Sequence, residues 1–148
     1  MKRNIIIILL LINIFCNANE PFIALTNDTL QTLKIDSILK TFKLAKDKTG
    51  LNKKINTPQG SENYFFNRTD RSLYLIADYG SKELNLYYYI DGHLAKVIYW
   101  ERHKKRRNLY YFFQEALFNK KEYDGLQSQD GEKLLKKSKE LSSKILNQ

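Results

Sequence analysis

Between Ser61 and Tyr123 the chain repeats one pattern of aromatic and aliphatic runs broken by short polar turns. Asn85-Leu86-Tyr87-Tyr88-Tyr89-Ile90-Asp91-Gly92-His93-Leu94 aligns without gaps on Asn108-Leu109-Tyr110-Tyr111-Phe112-Phe113-Gln114-Glu115-Ala116-Leu117, 23 residues later. A third, weaker copy begins at Asn63-Tyr64-Phe65-Phe66 and reaches Leu73 with one extra residue in its turn. Repetition at such a period marks stacked supersecondary units. Each unit is apolar on both sides of a polar turn, which is a β-hairpin pattern, and Asp91-Gly92 is a favoured pair for a two-residue type I′ turn. Three hairpins in succession predict an antiparallel meander of about six strands over 61–123.

The Asp91-Gly92 turn fixes a register and therefore two faces. It opposes Ile90 to His93, Tyr88 to Ala95, Leu86 to Val97 and Leu84 to Tyr99, an apolar set expected to meet the core. The other face carries Asn85, Tyr87 and Tyr89 against Leu94, Lys96, Ile98 and Trp100. Period-two alternation assigns polar groups to a solvated face, and this second face is half polar. It is either covered by a helix or offered to a partner.

Helical periodicity flanks the repeats. In Pro21 to Leu51, the residues Leu30, Leu33, Ile38, Phe42 and Ala45 fall roughly on one side, Asp28 or Asp36 can cap the start, and Gly50 is a natural stop. Asn52 to Gly60, with Pro58 and Gly60, reads as a linker. Near the other end Asp130 caps a helix running to about Leu146. Leu134, Leu141 and Ile145 form its apolar stripe and lysines fill the rest, so it should pack on one face of the sheet. The predicted fold is therefore α+β: a meander with an N-terminal helix and a C-terminal amphipathic helix.

The first residues change the expected compartment. Lys2 and Arg3 precede an apolar stretch from Ile5 to Phe15, and Cys16-Asn17-Ala18 sets small residues at the −3 and −1 positions for cleavage after Ala18. This is the layout of a secretory signal; the apolar run falls short of the roughly 20 residues that a membrane span needs. The expectation is a signal peptide at 1–18, a single domain at 19–148, and a periplasmic or secreted product. A lipid-modified Cys16 is the alternative, and only that variant would attach the chain to a membrane. Cys16 is the sole cysteine, so a chain cut after Ala18 has no disulfide and no thiol chemistry. It would carry 23 basic against 16 acidic residues, a net charge of +7, which favours anionic partners.

Enzyme signatures are missing: there is no Gly-rich phosphate loop, no His-Glu-x-x-His and no Gly-x-Ser-x-Gly. His93 and His103 stand without partners at metal-ligand spacing. Neither catalytic residues, metal nor cofactor is expected. Two sets of residues point to binding. Tyr87, Tyr89, Trp100, Tyr110 and Phe112 share the second sheet face, and Tyr and Trp dominate interface hot spots. Arg102-His103-Lys104-Lys105-Arg106-Arg107 joins the second and third hairpins. Its fixed cations, Arg102, Lys104, Lys105, Arg106 and Arg107, can grip phosphates or an acidic groove.

The Tyr-Tyr-Tyr-x-Asp-Gly-x-Leu run at Tyr87 to Leu94, with its degenerate copy at Tyr110 to Leu117, resembles the aromatic hairpin repeat of small secreted bacterial proteins. More distantly it is similar to MORN-type repeats, which have a comparable period, although it lacks their regular glycines and Gly-Glu-Trp pattern. The resemblance implies architecture and a binding role, and transfers no catalytic residue. The expected function is an exported, non-catalytic protein-binding module, with a periplasmic immunity or inhibitor protein as its concrete form. The alternative is a basic binder of anionic envelope polymers or nucleic acid.

Overall fold

The computed structural model describes residues 26–44, 51–67 and 70–146. The signal segment, Cys16, Ala45 and Gly50 lie outside these residues, as does the side chain of Phe42. Helix α1 (Asn27–Leu44) precedes seven strands, β1 (Leu51–Thr57), β2 (Gly60–Phe66), β3 (Leu73–Tyr79), β4 (Glu83–Ile90), β5 (His93–Glu101), β6 (Asn108–Phe113) and β7 (Ala116–Lys121), and helix α2 (Gly131–Leu146) closes the order. The strands form one antiparallel sheet in sequence order, β1 to β7. The fold is the expected α+β meander with an N-terminal and a C-terminal helix; the two helices lie on opposite faces, and the sheet has one more strand than expected.

The additional strand is the segment expected as a linker. Asn52, Lys53 and Lys54 are exposed and Ile55 is half-buried, so the stretch lacks the apolar alternation of an inner strand. An edge strand needs little of it, and lysines on an edge discourage pairing with other chains. Pro58-Gln59 makes the turn into β2. Gly60 is required there, because a Cβ at that position would stand 1.7 Å from the Tyr79 carbonyl oxygen.

At the Asp91-Gly92 turn both residues have positive φ, 51° and 79°, as type I′ geometry demands. The expected register holds for Ile90↔His93, continues to Tyr89↔Leu94 and then slips. A bulge between Tyr88 and Tyr89 leaves Ala95 unpaired and sets Tyr88 opposite Lys96, Tyr87 opposite Val97, Asn85 opposite Tyr99 and Leu84 opposite Trp100. The extra residue exchanges the faces of β5. Val97 and Tyr99 join Tyr87 and Tyr89 beneath α2, while Lys96, Ile98 and Trp100 move to the face of Leu84, Leu86 and Tyr88. Without the bulge Lys96 would lie under α2 in an aromatic core, where burying an ammonium is costly. With it, the Lys96 ammonium meets the Asp36 carboxylate of α1 at 2.6 Å.

The same irregularity recurs between Phe65 and Phe66 and between Tyr111 and Phe112, 23 residues to either side. Tyr64, Tyr87 and Tyr110 are thus spatial equivalents, all buried under α2. Glu62, not Asn63, takes the place of Asn85 and Asn108, so the third copy begins one residue earlier than the sequence alignment suggested. The second copy of the turn, Gln114-Glu115, also holds positive φ at both residues, 49° and 61°, although it has lost the glycine.

Helix α2 starts at Asp130, whose carboxylate accepts from the amides of Glu132 and Lys133 at 2.8 and 3.3 Å. Its stripe is Leu134, Leu141 and half-buried Ile145, as expected, with Ser138 also buried. Helix α1 differs from expectation. Thr26 caps it, its hydroxyl accepting from the Thr29 amide at 3.2 Å, and Leu30 and Leu33 are exposed. Ile35 and Leu39 are the buried pair, packed on Ala95 and Tyr111. Asp36 decides this rotation: rather than capping, it accepts from Lys96 and from the Tyr111 hydroxyl at 3.0 Å.

Candidate functional site

The aromatic face predicted for a partner divides into two groups. Tyr87, Tyr89, Tyr110 and Phe112 are each at most 4% exposed, because Leu134 and Leu141 of α2 lie over them. The Tyr89 hydroxyl bonds to the hydroxyl and carbonyl of Ser138 at 2.8 and 3.1 Å. Burial pushes its pKa up to about 12, against the opposing effect of the Ser138 bond. These four residues are core, which corrects the expectation of an open face. A half-polar face under an amphipathic helix buries more apolar area than one left in water. Trp100 does not join them, because the bulge turns it to the opposite face.

The basic loop is where the sequence placed it, and Arg102, Lys104, Lys105, Arg106 and Arg107 are all exposed. Its backbone is tied down at both sides. The Arg102 amide donates to the Lys82 carbonyl at 3.0 Å, the Lys104 amide donates to the Glu101 carbonyl at 2.9 Å, and the Trp100 indole donates to the Lys104 carbonyl at 2.7 Å. Two cations rest on rings: the Arg107 guanidinium 4.7 Å from the Trp100 centroid and the Arg106 guanidinium 5.3 Å from that of Tyr123. Such contacts contribute roughly 0.5–1 kcal/mol at exposed sites, enough to bias the loop toward one shape. Next to Trp100 on its face, Leu86 and Ile98 are half-buried, so apolar surface adjoins the charge.

A second group went unnoticed in the sequence. Glu62, Asp78, Asn85, Tyr99 and Asn108 follow one another across β2 to β6 as register partners, a polar row at one end of the face that α2 covers. Glu62 is 3% exposed. Burial raises its pKa, but bonds from the Lys144 ammonium and the Tyr64 hydroxyl, both 2.6 Å, outweigh this and hold the carboxyl below its ordinary range. Asn108 donates to the Gln127 carbonyl at 3.1 Å and accepts from the Tyr123 amide at 2.9 Å. Asp78 is raised, chiefly by desolvation. The Asn85 Oδ1 is buried without a hydrogen-bond partner, as is the Asn63 Oδ1 on the other face. The signal was present in the repeat itself: each copy carries a polar residue two positions before its buried tyrosine.

Among the described residues no group of three or more His, Cys, Asp or Glu is placed to hold a metal ion. His93 and His103 are exposed, far apart in the register and on different turns. No known protein family, curated protein or solved structure matches the chain.

Proposed function

We propose that the chain is an exported, non-catalytic binding module that holds an acidic protein against its basic loop and the Trp100 side of its sheet, in the manner of a periplasmic immunity or inhibitor protein. Export rests on the Lys2/Arg3, apolar and Cys16-Asn17-Ala18 layout. The observation that carries the reading is the Arg107 guanidinium seated on Trp100 beside half-buried Leu86 and Ile98. Tryptophan and arginine are the residue types that dominate hot spots. A polyanion needs only charge, whereas a folded protein also offers apolar surface to cover Leu86 and Ile98. The loop charges would steer encounter and fix orientation.

The test is a pull-down from envelope extract with wild type, Trp100→Ala and Arg107→Ala, each checked by thermal melting. One acidic partner should be retained by wild type and lost by both folded variants, at about 2 kcal/mol per hot-spot residue. Retention by both variants refutes the surface. The exposed loop cations also support a second reading, a binder of anionic polymer. That reading demands that affinity fall by decades between low and moderate salt as counterions are released.

A further inference from the structure

The apolar surface that the fold leaves in water collects at one corner. Leu30, Leu33 and Phe113, at 50%, 54% and 49% exposure, are the exposed large hydrophobic side chains among the described residues. Phe113 ends β6 and borders a cavity of about 340 Å³ between α1 and the tips of the last two hairpins. Leu30 and Leu33 adjoin Gln31 and Lys34, through which α1 edges the same cavity. Exposed hydrophobics scattered singly are ordinary, whereas a group of them marks an interaction site.

The walls of the cavity determine the class of ligand. Ile38 and Ile90 are half-buried at its sides, and Ile35, Leu94, Ala95 and Phe112 are buried behind them. The polar residues of the lining are Gln31, Lys34, Asp91, His93 and Gln114, and all but Gln31 are exposed, so they form the rim. Among the described residues the buried side-chain acceptors that lack a donor belong to Asn63 and Asn85, neither of which lines this cavity. The interior therefore calls for no polar group. An apolar space of about 150 Å³ already stays dry and takes up benzene, and this one is more than twice as large. We infer that the cavity binds a single aliphatic chain of about eight to ten carbons, a size scaled from that benzene site, in an amphiphile whose polar head stays in water at the rim. Lys34 and Asp91 give the rim one charge of each sign, so it selects no head charge and the affinity resides in the chain. Leu30, Leu33 and Phe113 continue the apolar surface beyond the mouth. Trp100 stands at the other end of β5 from His93, about 23 Å away at ~3.3 Å per residue. The cavity is thus independent of the partner surface proposed above.

The test is a titration of the ¹⁵N-labelled protein, followed by amide shifts, with hexanoate, octanoate, decanoate and dodecanoate below their micelle concentrations. Shifts should saturate and centre on Gln31, Ile38, Ile90 and Phe113. Affinity should rise roughly fifteenfold from hexanoate to octanoate, at ~0.8 kcal/mol for each buried methylene, and rise far less from decanoate to dodecanoate, once the cavity is full. Octanol and octyltrimethylammonium, which change the head alone, should bind as octanoate does to within severalfold. Phe113→Ser, at an exposed position, should weaken octanoate severalfold, and so should Ile38→Ser; thermal melting checks that each is folded. Trp100→Ala should leave the titration unchanged. Cosedimentation with phosphatidylcholine vesicles that Phe113→Ser abolishes assigns the chain to a bilayer lipid, and titration without cosedimentation assigns it to a free amphiphile; either result upholds the chain. Binding that follows head charge and ignores chain length overturns the inference, as does binding indifferent to both serine variants. Absence of saturation with every chain overturns it equally.

Discussion

Removing one aromatic ring from each face of the sheet distinguishes a core position from a surface one. Tyr87 is 1% exposed, opposite Ile76 and Val97 and under α2. A buried aromatic side chain removes about 150–250 Å² from water, and at ~25 cal/mol per Å² its burial contributes about 4–6 kcal/mol. Alanine keeps part of that area but leaves a cavity, and measured aromatic-to-alanine costs run about 3–5 kcal/mol. Tyr87→Ala should therefore lose about 4 kcal/mol, a large share of a typical 5–15 kcal/mol stability. Trp100→Ala forfeits the indole bond to Lys104 and the Arg107 contact, for a cost of about 1–2 kcal/mol. Trp100 is the only tryptophan, so urea unfolding should be followed by circular dichroism rather than indole fluorescence. A Tyr87→Ala midpoint close to wild type, or one above that of Trp100→Ala, would refute the assignment of faces.

Five further outcomes follow from local geometry and charge. Gly92→Val should cost about 1 kcal/mol or more, since φ is 79° there and a β-branched residue is strained in that region; conversely Gln114→Gly, at φ 49°, should raise the melting temperature by relieving strain of about 1 kcal/mol. Glu62, held low, contributes stability that is present above the ordinary carboxylate range and lost as pH falls through its folded value. Glu62→Gln should accordingly flatten the acid limb of a urea-midpoint profile, whereas Asp78, raised by burial, acts with the opposite sign. Its protonation favours the fold at low pH and that benefit is lost as pH rises through its folded value, so Asp78→Asn should gain stability relative to wild type at neutral pH. Replacing Lys104 and Lys105 together by serine should leave the melting temperature nearly unaltered, because exposed charges contribute little to stability.

The hairpins, the Asp91-Gly92 turn and α2 were legible because each is governed by nearest neighbours: a dihedral requirement, an alternation, a cap and a stripe. The register was legible only as far as Leu94. Whether β5 carries an extra residue depends on what lies above each face, and nothing in His93 to Trp100 announces that Lys96 has an acid waiting on α1. The rotation of α1 was hidden for the same reason, since Asp36 reads locally as a cap and acts as a partner of Lys96 and Tyr111. β1 was missed because an edge strand whose described side chains are mostly exposed, with Ile55 the half-buried apolar one, leaves no apolar alternation. Of the candidate residues, the basic loop was found by charge alone. Tyr87, Tyr89, Tyr110 and Phe112 were placed together correctly but on the wrong side of the choice between covered and open.

The recurrent bulge explains why a threefold sequence pattern gives a sheet with two different faces. In each copy it comes after the pair of an aromatic residue with a leucine, Phe66↔Leu73, Tyr89↔Leu94 and Phe112↔Leu117. It therefore keeps the Tyr64, Tyr87 and Tyr110 row and its neighbours under α2 and gives the opposite face to α1 and the loop. Three equivalent polar residues then stand in one row beneath one helix, Glu62 and Asn108 buried and Asn85 half-buried. That helix begins beside β7, where Gly131 packs on Leu117, and ends over β2, where Lys144 reaches Glu62. Between these ends the helix stays on the sheet, with Ser138 bonded to Tyr89 of β4 and Leu134 and Leu141 packed on Tyr87, Tyr89 and Val97. The loop entering α2 supplies partners to Asn108 at one side and the last turn supplies Lys144 to Glu62 at the other. Asn85 and Asp78 fall between them and line a cavity of about 580 Å³. One helix laid across three copies of the same hairpin thus supplies partners to the two outer polar residues from its two ends and leaves the Asn85 Oδ1 of the middle copy without one.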